Sequence, residues 1–182
     1  MGFNAYVRQV RDRGLRYERR VHALRCCVER YQPIGFQAGL SFLRKVAGPF
    51  EKDEAALLRA ISRLIASRDL WHAEIRAYTR KRQAAKLRGE RSPHPDEPNP
   101  SNRPLCWYGS ARPAALHALQ LQHNLPATSD LAVLAAASLA ADGHLKPDQH
   151  ARLLEILNDL RQWAGTSEWR TARLIRMAAE AR

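Results

Sequence analysis

The sequence predicts an all-α fold: a basic N-terminal helical hairpin with long heptad helices, followed by a C-terminal four-helix bundle. Three observations predict it. Ala, Leu and Arg dominate the composition and are strong helix formers, while the Val, Ile and Thr runs that strands favour are absent. Apolar residues recur at alternating spacings of four and three along two long stretches. Proline and glycine separate the periodic stretches from one another.

Residues 3–31 predict one long helix. Phe3, Val7, Val10, Gly14, Tyr17, Val21, Leu24, Val28 and Tyr31 form its heptad seam, with Gly14 the one weak position. Pro33 and Gly35 break it. A shorter helix is predicted over 35–47, with Phe36, Leu40, Leu43 and Val46 or Ala47 on one face, ended by Gly48-Pro49. Asp53 suits the N-cap of the next helix, and Glu51 and Glu54 suit its positive end. That helix is predicted to run to about residue 88. Its seam is Leu57, Ile61, Leu64, Arg68, Trp71, Ile75 and Tyr78, with Arg68 placed to snorkel out of it. The pattern predicts an antiparallel hairpin over 1–88 with the short helix at one end. A self-associating coiled coil uses the same pattern.

Residues 89–104 hold five of the ten prolines and no large apolar side chain, which predicts an extended or disordered linker and a domain boundary. Cys106-Trp107-Tyr108 is read as the anchor of the chain's return. Residues 105–182 then predict four helices. Pro113 suits a first turn. Ser129 or Thr128 caps a second helix, of sequence LAVLAAASLAA over 131–141, that is built to be buried. Gly143 suits a left-handed cap, Pro147 opens a third helix, Gly165 ends it, and Thr166 or Ser167 starts the last. Trp163 and Trp169 are read as packing across that last corner; exposure of either would instead indicate a protein interface.

Charge supplies the functional signal. The net charge is +12, and residues 1–90 carry 20 Lys and Arg against 9 Asp and Glu, whereas residues 105–182 carry 8 against 7. Such asymmetry speaks of a partner rather than of a fold. In a hairpin, Arg8, Arg11, Arg16 and Arg19 of the first helix and Arg76, Arg80, Lys81, Arg82, Lys86 and Arg88 of the long helix are expected to meet in one cationic surface. Arg20, Arg25 and Arg30 are read as solvent-facing companions off the seam. Guanidinium groups pair with phosphate in planar hydrogen bonds, so the expected partner is nucleic acid, DNA or RNA, bound with low sequence specificity. The helix over 131–141 offers only Ser138 to base edges and is not read as a recognition helix.

Other chemistry finds no support in the sequence. No HExxH, CxxC, phosphate-binding glycine loop or nucleophile elbow occurs. The histidines are scattered. Cys26, Cys27 and Cys106 are odd in number, and adjacent cysteines do not pair well, so a reducing cytoplasm is expected. No catalytic residue, metal or cofactor is expected, nor a secretory signal or membrane span.

The run Ala140 to Gln149 (AADGHLKPDQ) is the most specific local pattern. An apolar helix ending in Ala-Asp-Gly, followed by Pro147 and a helix bearing Leu153 and Leu157, resembles the tellurite-resistance TerB-like helical domain over residues 130–160. The resemblance implies an all-helical domain of the kind associated with stress-response and with metal- or membrane-linked complexes. Gln149 stands where an acidic residue is common in that family, and Asp142, His144 and Asp148 supply too few oxygens for a calcium loop.

Together these readings predict a non-enzymatic accessory or regulatory protein that binds nucleic acid through a basic helical surface, with a C-terminal bundle that engages a protein partner or itself. The alternative is a structural adaptor using coiled-coil and bundle surfaces to bind an acidic protein partner.

Overall fold

The computed structural model describes residues 1–90, 92–93, 100, 107, 111–122, 129–163 and 165–180, the side chains of 161 and 162 excepted. All regular structure among them is helical: α1 (Phe3–Arg11), α2 (Tyr17–Arg30), α3 (Phe36–Ala47), α4 (Glu54–Leu87), α5 (Ala111–Gln120), α6 (Asp130–Ala140), α7 (Pro147–Asp159) with a 3₁₀ turn (Leu160–Trp163), and α8 (Ser167–Glu180). No described helix is long and apolar enough to cross a membrane. The chain divides into two compact units, residues 1–31 with 47–104, and residues 32–46 with 105–182.

In the first unit the predicted single helix over 3–31 is two helices. Asp12 ends α1 in extended backbone, and its carboxylate accepts the Gly14 N–H at 2.9 Å. Such a local turn competes with helix wherever Asp stands near Gly. The two halves of the seam therefore fold onto each other, with Phe3 and Val10 of α1 and Val21, Leu24 and Val28 of α2 buried.

Both helices pack on the first half of α4. Its N-cap is as predicted, Asp53 accepting from the Ala55 N–H at 2.9 Å. Leu57, Ile61 and Leu64 are fully buried, and burying such side chains stabilises by roughly 1.5–3 kcal/mol each. The direction of packing follows from side-chain contacts. Tyr17 donates to the Phe50 carbonyl at 2.8 Å, while Tyr31 bonds Ser67 at 2.9 Å and stacks near Trp71; hence α2 runs parallel to α4. Phe3 lies under the Arg68 guanidinium at 4.4 Å, and Asn4 accepts from the same residue. Arg13, just past α1, pairs with Glu54; hence α1 runs antiparallel. Arg68 leaves the seam as expected, over an aromatic face.

The second unit takes residues 32–46, which the sequence reading grouped with residues 1–88. The reason lies on one face of α3. Phe42 packs edge-on against Trp107 at 5.1 Å and against the His117 ring at 5.7 Å, and Ser41 bonds His117 at 2.9 Å. Trp107 is buried, while Cys106 and Tyr108, with most of the 89–104 linker, lie outside the described residues.

Around α8 sit α5, α6 and α7. Ser129 caps α6 by accepting from Ala132 N–H. The turn after α6 has Asp142 and Gly143 at φ +49° and +88°, and the Gly143 N–H reaches the Ser138 carbonyl at 2.7 Å. Two expectations fail in this unit. Helix α6 is not buried all round, since Val133 is 59% exposed, and Trp163 is 58% exposed rather than packed across its corner. A helix of only 11 residues touching α5, α7 and α8 leaves one stripe uncovered.

Candidate nucleic-acid interface

Side-chain placement sorts the basic residues of the first unit into three groups. Arg20 stands apart. Only 4% exposed, it donates from Nε to the Val10 carbonyl at 2.9 Å and from both terminal nitrogens to Glu54 Oε1 at 3.0 Å. It ties the end of α1 to the start of α4 across α2 and is not a solvent-facing companion. Its hydrogen bond, followed by its charge and that of Arg13, holds the Glu54 carboxyl below the usual Glu range.

Arg8, Arg11, Arg16 and Arg19 form the second group, exposed on α1 and the start of α2. Their surroundings are mixed in charge. A shallow cleft of about 250 Å³ beside them is lined by Tyr17, Glu18, Val21, His22, Arg25 and Glu51, and its two carboxylates outnumber its one guanidinium. This cleft is poorly suited to an anion.

The third group lies on the second half of α4. Between residues 72 and 88 stand six cations and one acidic residue, Glu74. Arg76, Arg80, Lys81, Lys86 and Arg88 are exposed, and Arg82 is half-buried, donating to the Glu90 carbonyl at 3.1 Å. Arg88 pairs with the Glu90 carboxylate at 3.1 Å. The crowding of positive charge registers on His72, whose pKa is pushed below the usual His value by burial first and then by Arg68 and Arg76.

The second and third groups do not meet. Because α1 is antiparallel to α4 and α2 begins at the Phe50–Glu54 end, Arg11, Arg16 and Arg19 lie near the start of α4. Arg76 lies 22 residues further along, about 33 Å at 1.5 Å per residue. That is several times the screening length of about 10 Å at 0.1 M salt. The single merged surface rested on an unbroken first helix; the turn at 12–16 reverses the chain and carries Arg11, Arg16 and Arg19 to the other end, with Arg8 midway along α1. Charge still favours the first unit, whose residues hold 20 Lys and Arg against 11 Asp and Glu, compared with 10 against 7 in the second.

Other side-chain chemistry is accounted for by packing. Cys27 is buried, and burial pushes its thiol up to about 12, so it is no nucleophile near neutral pH. Burial first, then Lys45, lowers the pKa of His117 in its aromatic cluster. Ser138 is fully buried and cannot reach a base edge. No group of His, Cys, Asp and Glu among the described residues is arranged to hold a metal ion. Comparisons with protein-family models, with curated proteins and with solved structures give no match for this chain.

Proposed function

We propose that the protein is a non-enzymatic accessory or regulatory factor that binds nucleic acid through phosphate contacts, largely without regard to sequence. The observation that carries the reading is the second half of α4: six cations against Glu74 on a helix whose charged side chains are mostly in solvent. Cations so placed release counterions when they meet a polyanion, which supplies sequence-independent affinity. The second unit, with Trp163 and Val133 exposed, serves in this reading as a helical bundle contacting a protein partner or a second copy. The adaptor alternative is less favoured, because Leu24, Val28, Leu57, Ile61 and Leu64 of the seams it would use are buried inside the first unit, although Ile75 and Tyr78 are half-exposed.

The test is a titration of the full chain against random-sequence DNA and RNA at two salt concentrations. With four to six phosphate contacts, affinity falls roughly 10²- to 10³-fold between 50 and 200 mM salt. Absence of binding at the lower salt sinks the reading.

A further inference from the structure

The 34-residue helix α4 changes character near Trp71. Up to Ser67 one face is built into the first unit; beyond Trp71 only Ala85 is buried. At about 100° per residue, the exposed positions between 73 and 88 cover an arc of about 240°. Within that arc the charge has a pattern. Arg76 lies on one flank, and Lys81 with Arg88 lies on the other, about 120–140° away. Between the flanks run Arg80, Leu87 and three alanines, Ala73, Ala77 and Ala84, and Glu74 stands next to Lys81 at the edge of the second flank.

Size and charge together select a ligand. A helix with its side chains is about 10–12 Å across, and the major groove of B-form DNA is about 12 Å wide and admits one. Flanking cations then face the two strands' phosphates, and the alanines at 73, 77 and 84 allow close approach up to Leu87. The A-form major groove of duplex RNA is too deep and narrow for this entry, and a single strand has no two walls to meet the two flanks. The alanines carry no donor or acceptor toward base edges, so Arg80 is the one polar side chain between the flanks that can reach a base edge. Arg88 can leave Glu90 for a phosphate at small cost, the pair being exposed.

Resting on the nucleic-acid reading and narrowing it, we infer that residues 73–88 of α4 lie in the major groove of B-form duplex DNA, with Arg76 on one wall and Lys81 and Arg88 on the other.

The test uses the full chain and four probes: a mixed-sequence DNA duplex, the RNA duplex and DNA single strand of the same sequence, and anionic phosphatidylserine vesicles. The DNA duplex binds at least tenfold more tightly than the other two nucleic acids. Methyl green, which occupies the major groove, displaces the protein; netropsin, in the minor groove, does not. A double variant, Ala73→Leu with Ala77→Leu, fills the alanine floor without changing charge and with little loss of helix propensity. It loses about tenfold in duplex affinity while its weak single-strand binding is unchanged, and its circular dichroism matches the parent's. Equal affinity for all three nucleic acids, or displacement by netropsin alone, overturns the groove assignment and leaves phosphate binding standing. Binding to vesicles alone, or to none of the probes, overturns both.

Discussion

Removing the Arg20 side chain would strand one buried acceptor, the Val10 carbonyl, and leave the half-exposed Glu54 carboxylate to Arg13 and water. A buried acceptor left unpaired costs about 1–3 kcal/mol, so Arg20→Ala should destabilise the first unit by about that much in a denaturant titration. Arg19→Ala, one residue away and exposed, should change stability by less than about 0.5 kcal/mol. The same contact sets a pH dependence. Glu54 holds its proton less tightly in the folded chain, so the pairing stabilises the fold above the ordinary Glu value of 4.5 and is lost as pH falls through the lower folded value. Glu54→Gln should therefore be less stable than the parent at pH 7, with the gap narrowing as pH falls below 4.5. A gap unchanged at pH 3 would mean the pairing contributes nothing. Gly143 offers a second residue-level test. A Cβ there would sit 2.8 Å from the Ala178 carbonyl oxygen at φ +88°, whereas at Gly165, φ +107°, it would meet nothing within 4 Å. Gly165→Ala should cost about 1 kcal/mol from backbone strain alone. Gly143→Ala should cost clearly more, on the order of 2–3 kcal/mol, when thermal unfolding of the two is compared.

At the scale of elements, α4 unites two regimes in one helix. Over 57–67 its hydrogen bonds lie under α1 and α2; over 73–88 they face water on most sides. Helices of this length hold together chiefly through packing, and exposed hydrogen bonds open at low free energy. Amides of 75–84 should exchange at least tenfold faster than those of 57–67 by hydrogen exchange, and bound DNA should slow the former selectively. Uniform protection along α4 would count against the division. Sequence periodicity could locate α4, since spacing, cap and terminus all agreed with the structure within a residue or two. It could not show where the partner helices stop. The seam spacing of 3–31 is the same whether one helix lies on a partner or two halves lie on each other. Only the Asp12 side chain on the Gly14 N–H separates the cases, and that is a local turn with a weak sequence signal.

For the whole molecule, the proposed function predicts that the exposed cations of α4 carry more of the salt dependence than exposed cations elsewhere. Replacing Arg76, Arg80 and Lys81 by Ala should flatten the salt dependence of DNA binding by about three charges' worth, a slope change near 2.7. The substitution Arg170→Ala, at an exposed position in the second unit, should leave the slope unchanged. Equal effects from both variants would place the binding elsewhere than on α4. The candidate site was partly legible beforehand. The exposed cations of 76–88 were visible as charges off a heptad seam. Arg20 was indistinguishable from Arg19 by type and neighbourhood, because its burial depends on Val10 and Glu54, 10 and 34 residues away.

Periodicity, propensity and punctuation are local, and local physics sufficed for the all-helical character, the caps at Asp53 and Ser129, the left-handed Gly143 and the excess of positive charge in the N-terminal half. Tertiary packing decided the rest. It turned the first seam back on itself, joined α3 to the second unit through Phe42, Trp107 and His117, buried one arginine among many, and left half of a long helix in solvent. Each of these depends on which distant residues come into contact, and spacing along a chain does not encode which of two equally apolar faces will meet.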